Sequence, residues 1–554
     1  MMKKERGSLS SRDIHSVVNL RIYPGKSQRS HLSQSRLGYE PLHHSTPYQS
    51  LMILLPLYLI RVALFSASFV CGDENPGSET NNMSMKLPEG FLLGVGSSSY
   101  QIEGAAFEDN KGESIWDRFV RTRTDLIVDG SNGDVACDSY HKYEDDIKIL
   151  KDLGVDFYRF SISWPRILPN GDISNINQAG IDYYNKVING LIENGIQPMV
   201  TMYHWELPQN LQEIGGWTNP VLADFFEDYA DILFKNFGDR VKWWCTINEP
   251  HLHSVFGHGQ AAPDLPIHAP GLNYTGTAEY LAGKTQLVSH ARAYRLYEKH
   301  YLKEQGGKLG IVLDTFYYRY SSESGMEAAE RAKAFEYGWF LNPIYSAEGG
   351  YPALMSERIM ENSKAEGRKR SRLPELTKEE IDLIKGTSDF LGVNHYTTYY
   401  AEDMIAVDKT PSFFTDAAFN SIPNSETKTA EPSWIKVEPE GFRELLVWIK
   451  DTYNNPTVII TENGCGDAES INDYNKINYH KKYIKEVIDA INEDECKIIG
   501  YSAWSLMDSY EWTSGYTEKF GFYHVDFTDP DRKRTPKLSA LFYKELLKTR
   551  TLVI

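Results

Sequence analysis

Cysteine is scarce. The 554-residue sequence holds five, Cys71, Cys137, Cys245, Cys465 and Cys496, and no two of them stand in a CxxC spacing. A dense disulfide framework and a thiolate zinc site are both unsupported, and separate thiols are expected. Positive charge is also short: 58 Lys and Arg face 76 Asp and Glu, a net charge of −18. Nucleic acid and anionic membrane surfaces are recognised by basic patches, so neither partner is expected. Beyond residue 86 there is no internal repeat and no low-complexity tract. Metal-binding and nucleotide-binding motifs are missing too, so no metal and no cofactor are expected.

The one long apolar run is Leu51–Val70, LMILLPLYLIRVALFSASFV, interrupted by Arg61. Residues 1–50 before it are polar and basic. They are expected to be a disordered leader, or to precede a true start near Met52. Residues 51–72 are expected to be a signal peptide, cut after Val70-Cys71-Gly72. A membrane anchor is the weaker alternative, because Arg61 falls near the middle of the span. Removing residues 1–72 leaves 49 Lys and Arg against 73 Asp and Glu, a net charge of −24. The mature chain is then expected to be secreted, away from the membrane, and suited to neutral substrates. Two sequons, Asn82-Met83-Ser84 and Asn273-Tyr274-Thr275, would be open to glycosylation on that route. A start at Met83 or Met85 would instead leave the protein cytosolic. Assembly into a homo-oligomer stays open.

What is present is a rhythm. Apolar or β-rich runs recur at Phe91–Val95, Val155–Trp164, Gln197–His204, Val241–Asn248, Lys308–Phe316, Ser388–Tyr396, Thr457–Asn463 and Lys497–Trp504. Between them lie segments of helical spacing, among them Tyr140–Leu153, Gly180–Asn194 and Pro220–Phe237. Strands alternating with helices predict an α/β fold, a single (β/α)8 TIM barrel with long βα loops, over residues 87–548. Active groups of such barrels sit at the carboxyl ends of the strands. Polar residues do fall there: His204 after the third run, Asn248 and Glu249 after the fourth, Asn394 and Tyr396 in the sixth, Glu462 in the seventh. The long links after the fifth and sixth runs are expected to wall a pocket.

Five stretches, read in order, carry a resemblance: FLLGVGSSSYQIEGA (91–105), YHWELPQ (203–209), TINEP (246–250), ITENG (460–464) and AWSLMDSYEWTSGY (503–516). From about Leu87 to Lys548 the chain resembles the family 1 glycoside hydrolases, the β-glucosidase family. Wording such as VNHYT, SAEGGYP and GDRVKWW is most similar to insect β-glucosidase and myrosinase members. Leu93, Ile247 and Ser509-Tyr510 depart from the usual wording, which leaves the fine shape of the pocket open but touches no catalytic position.

Glycosidic hydrolysis needs a proton for the leaving oxygen and a stabiliser for the oxocarbenium-like centre, and two carboxyls supply both. The resemblance implies Glu462 as nucleophile and Glu249 as acid, then base, with Tyr396 and Arg159 donating to the nucleophile. Those donors are expected to lower the pKa of Glu462, while burial raises that of Glu249. It implies Gln101, His204 and Glu511 on ring hydroxyls, Asn248 on the 2-hydroxyl, and Asn394 in support. Trp504 would face the sugar, flanked by Trp512 and Phe520, and Trp434 would form an aromatic lip at the aglycone. Glu511, expected ionised, would repel a phosphate, so the substrate is expected to be an unphosphorylated β-glucoside or oligosaccharide. Galactoside or fucoside side activity is expected in the same pocket. The competing expectations are a thioglucosidase acting on glucosinolates and a catalytically inactive sugar-binding relative. The first is disfavoured by Glu249, which plant thioglucosidases replace with Gln although an insect thioglucosidase keeps a Glu, and the second by the presence of both carboxyls.

Overall fold

The computed structural model of the protein describes residues 84–259, 267–404, 410–468 and 471–554. The leader, the Leu51–Val70 run and Asn82 lie outside them. Eight parallel strands close into a barrel in chain order. They are β1 (Leu92–Gly96), β2 (Phe157–Ser161), β3 (Gln197–Tyr203) and β4 (Trp243–Asn248), then β5 (Lys308–Asp314), β6 (Phe390–Asn394), β7 (Val458–Asn463) and β8 (Ile498–Trp504). Each of the eight apolar runs of the sequence overlaps one strand, the first falling one residue short of Gly96. The second run is cut short: β2 stops at Ser161, and Trp164 opens a short helix, Trp164–Ile167, led by Pro165 at its second position.

Strands that are near-continuously buried explain the runs. One side of each packs outward on the helices. The other fills the lumen with a layer made of Phe157, Met199, Cys245, Val312, Phe390 and Ile459. Two residues further along several strands, the lumen turns polar: Arg159 comes after Phe157, Thr201 after Met199, and Thr461 after Ile459. The barrel is thus plugged by apolar side chains at one end and lined by polar ones toward its mouth.

Register is irregular in three strand pairs, β4–β5, β6–β7 and β7–β8. β4 shifts against β5 between Cys245 and Asn248, and β7 shifts against β6 between Ile460 and Glu462. A bulge adds a residue on one side and re-aims the side chains beyond it. In β4, strict alternation from Cys245 would turn Ile247 into the lumen. Instead Thr246 bonds outward to His290 Nδ1 at 2.7 Å, Ile247 joins the outer core, and Asn248 turns inward to Arg159.

The β5–β6 link carries Tyr317–Arg319 and four helices, beginning with Glu323–Glu336. The β6–β7 link carries Thr398–Asp403, Phe419–Ile422 and the helix Pro439–Thr452. The three short strands pair into one small sheet, with Thr398–Asp403 in the middle. At the two ends of the stretch described, Ser84–Lys86 pairs antiparallel with Thr551–Val553. Cys137, Cys245, Cys465 and Cys496 are free and buried.

Candidate active site

The mouth of the barrel gathers ionisable groups that are all buried. Glu249 comes directly after β4 and caps the helix Pro250–His258 with φ of 47°, a left-handed backbone that side-chain-bearing residues rarely adopt. Trp205, one residue beyond His204, and Trp512 share this trait, with φ of 77° and 54°. Such strain persists only where the surroundings over-determine it.

Arg159 on β2 lies at the centre. Its Nη1 donates to Glu462 Oε1 at 2.5 Å and its Nη2 to Asn248 Oδ1 at 2.6 Å. Tyr396 donates its hydroxyl to the other oxygen of Glu462 at 2.8 Å. Asn394 donates to Glu249 Oε1 at 2.9 Å and to Asn248 Oδ1 at 3.1 Å, and is itself oriented by Thr461 Oγ1 at 2.7 Å. Asn248 reaches His204 Nε2 at 3.3 Å. Strands β2, β4, β6 and β7 are therefore tied together through one set of side chains that includes both glutamates.

Around this set stand the remaining predicted residues. The His204 ring lies near-parallel to those of Trp504 and Trp512, 5.9 Å from each. Phe520 and Trp434 meet the Tyr396 ring edge-on at 6.0 and 5.8 Å. Trp434 is 37% exposed, so it sits at the rim. Gln101 has both ends engaged, accepting from Ser98 Oγ at 2.6 Å and donating to the Tyr510 carbonyl at 2.9 Å. It bridges β1 to the loop that carries Glu511. Glu511 accepts from Ser509 Oγ at 2.9 Å.

The electrostatics correct two expectations. Glu462 is raised above the ordinary carboxylate range rather than lowered: burial outweighs the Arg159, Tyr396 and Asn394 donors. Glu249 is raised further, by burial first, then by the charges of Glu462 and Asp314, while the Asn394 amide opposes. The order of the two survives, so the proton that the pair holds belongs on Glu249. Glu511 is pushed up to about 8 by burial and by Glu518, against the Ser509 bond, so in the free protein it is protonated near neutral pH rather than ionised. His204 is held neutral by burial and by Arg159. Tyr396 stays a phenol, raised by burial and by the two glutamates.

Sequence reasoning passed over Thr461, which sets the Asn394 amide, and Trp205, whose Nε1 holds the Asn248 carbonyl at 3.0 Å. Both sit inside the ITENG and YHWELPQ motifs. It also passed over Phe316, 6.0 Å from Trp434; Tyr399, which opens a loop (399–419) expected to shape the aglycone site, donates to the Trp434 carbonyl at 2.6 Å. Among the described residues, no group of three or more His, Cys, Asp and Glu is arranged to hold a metal ion.

The sequence model of glycosyl hydrolase family 1 matches residues 83–552. The chain belongs to glycosyl hydrolase family 1. It is 47% identical over 471 residues to myrosinase 1 of Brevicoryne brassicae, covering 84% of this chain and 99% of that protein. Among solved structures, an aphid myrosinase superposes with a TM-score of 0.80 at 46% identity, over 84% of this chain and all of the other. A rice Os3BGlu6 β-glucosidase mutant in a covalent complex with Glc from GA4GE superposes with a TM-score of 0.78 at 40% identity, covering 83% and 98%. This family 1 member is thus a glycoside hydrolase on a (β/α)8 barrel, with β-glucosidases and myrosinases among its relatives.

Proposed function

We propose that the protein hydrolyses terminal β-D-glucosyl residues of O-β-glucosides with net retention. In the first step a Glu462 oxygen bonds to the anomeric carbon as the bond to the aglycone oxygen breaks. The Glu249 proton goes to that oxygen. In the second step Glu249, now a carboxylate, takes a proton from water, whose oxygen bonds to the anomeric carbon and frees Glu462. The observation that carries this reading is the unequal setting of two neighbouring carboxyls. Glu462 has a cationic donor on one oxygen and a phenol on the other, and Glu249 has only an amide. Neutral Glu249 is then available as the acid, and loses its charged neighbour once Glu462 is glycosylated, which suits the second role.

Arg159 and Tyr396 steady the nucleophile. Asn248, held by Arg159, is assigned to the 2-hydroxyl, where a bond strengthens in the transition state. Gln101, His204 and Glu511 are assigned to the other hydroxyls, with Asn394 in support. Trp504 faces the ring, flanked by Trp512 and Phe520, and Trp434 the aglycone. Glu462→Ala should abolish hydrolysis with the fold intact. Azide should restore turnover and give the inverted glucosyl azide. Normal turnover in the variant, or a labelled sugar traced to another residue, would overturn the assignment.

The 47% identity to a myrosinase supports a second reading, cleavage of thioglucosides. A glucosinolate aglycone leaves without protonation, so Glu249→Gln should spare the first step on glucosinolates and cripple it on alkyl glucosides. Parallel kcat/KM values for both substrates in the wild type decide between them. We also propose that the protein travels the secretory route, in keeping with the Leu51–Val70 run and with an exposed Asn273 in its sequon. An unglycosylated cytosolic product in insect cells would refute this.

A further inference from the structure

Behind Glu249 lies a buried polar cluster that neither step of the reaction uses. His251, two residues on in the first turn of Pro250–His258, holds Asp314 Oδ2 at 2.7 Å through Nδ1. An ionised carboxylate only accepts, so the Nδ1 proton is on the imidazole. Asp314 ends β5. This strand also touches Glu249 through its backbone, with the Glu249 amide donating to the Val312 carbonyl at 2.9 Å. Next to Asp314, Thr315 grips the donor of Glu249: its amide and its hydroxyl both bond the Asn394 carbonyl, at 2.9 and 3.0 Å. The end of β5 therefore holds Glu249 by its backbone, by the turn after it, and by its side-chain partner.

The cluster is sealed. His251, Asp314 and Glu336 are 4%, 3% and 8% exposed, and Phe413 and Trp339 pack on the His251 ring. Glu336, from the helix Glu323–Glu336, accepts from Tyr318 at 2.7 Å. Asp314 Oδ1 has no hydrogen-bond partner among the described residues, so His251 is the one side chain bonded to this carboxylate.

We propose that Asp314, clasped by His251, is a positioning residue for the acid/base: it fixes the Glu249 turn and keeps negative charge behind it, so that Glu249 retains its proton. The inference rests on Glu249 being the acid. The charged and titratable groups facing Glu249 are Glu462 on β7, Arg159 on β2, Tyr396 after β6 and Asp314 on β5. Glu336 faces the His251–Asp314 pair from behind. Glu462 and Asp314 push in one direction and Arg159 in the other. Asp314 and Glu336 raise His251 against its burial.

The test is the pH dependence of kcat/KM for an alkyl β-glucoside, which reports groups of the free enzyme. Glu249→Gln should remove the alkaline limb of the wild type. If that limb persists unchanged, the assignment of Glu249 as acid fails, and this inference with it. With the limb assigned, Asp314→Asn, which keeps an acceptor for His251, should move it to lower pH by roughly half a unit to one unit, as expected for losing a like charge at short range. The acid limb should move less. Asp314→Glu restores the charge and should return the limb toward its wild-type place. An alkaline limb unmoved in Asp314→Asn, or moved equally by both variants, would overturn the proposal. Should Asp314→Asn fail to fold, His251→Gln gives the second reading. It keeps a donor to Asp314 and removes the cationic imidazole, so the limb should stay or rise, and a fall overturns the proposal.

Discussion

Glu511 shows how far a single residue can depart from its expected charge. Burial and Glu518 raise it to about 8, so near neutral pH the free enzyme carries a carboxylic acid there. Sugar hydroxyls donated to an ionised carboxylate make charge-assisted bonds. Binding of a glucoside should therefore lower this pKa and release a proton. Calorimetry of an inhibitor in buffers of different ionisation enthalpy should show proton release near pH 7 in the wild type and less of it in Glu511→Gln. Equal release in both would place the proton elsewhere. Glu511→Ala should also cost about 1.5–3 kcal/mol on glucosides, the range for bonds to charged groups. A 6-deoxy sugar has one such bond fewer to lose, so the ratio of glucoside to fucoside kcat/KM should fall. An unchanged ratio would mean that Glu511 only braces its loop. No cue in the sequence could have set this protonation state, because it depends on neighbours such as Glu518 and on burial in the folded loop.

At the scale of elements, the barrel strands were legible because each is a run buried on both faces and bounded by polar residues, and the motifs fall at their ends. The second run overshoots its strand, since Ile162, Ser163 and Trp164 are as buried as the strand and only the Pro165 turn separates them. The bulges in β4 and β7 were not legible: they are defined by register against a neighbour, and no local residue marks them. His251 and Asp314 are 63 residues apart and meet only once β5 has paired with β4. The small sheet formed by Tyr317–Arg319, Thr398–Asp403 and Phe419–Ile422 escaped for the same reason. It brings Phe316 and Tyr399 beside Trp434, so the aglycone wall proposed here would be an assembled aromatic surface rather than one lip residue. Trp434→Ala should raise KM for aryl glucosides by roughly 2- to 10-fold, the worth of one aromatic contact. It should leave methyl glucoside nearly untouched, and steady-state kinetics on the two will tell. Equal loss on both would make Trp434 a support for Tyr396 instead.

Over the whole molecule, buried titratable groups set a pH window for stability. Glu206 and Glu336 are raised to about 7 and Glu511 to about 8, mainly by burial. Their folded values exceed the unfolded one, so stability is lost as pH rises through the folded pKa. Burial lowers His258 and His268 to about 4, and His290, His395 and His480 to about 3. These hold stability above the unfolded histidine value of about 6.5 and lose it as pH falls below. The two sets oppose, so melting temperature should peak at about pH 6–7 and decline on both sides. Glu511→Gln should flatten the alkaline side. A melting temperature still climbing between about pH 7 and 8 would contradict this balance. The pairing of Ser84–Lys86 with Thr551–Val553 has a different consequence. The fold begins and finishes side by side, so its linear order is only one way of threading the ring. A permuted chain, with Val553 joined to Ser84 by a short glycine-serine link and new ends cut in the exposed Arg368–Arg370 turn, should fold and keep its activity. The same adjacency would let a partner protein be inserted across the seam rather than hung from one end, tethered at both sides like a bead clasped into a necklace.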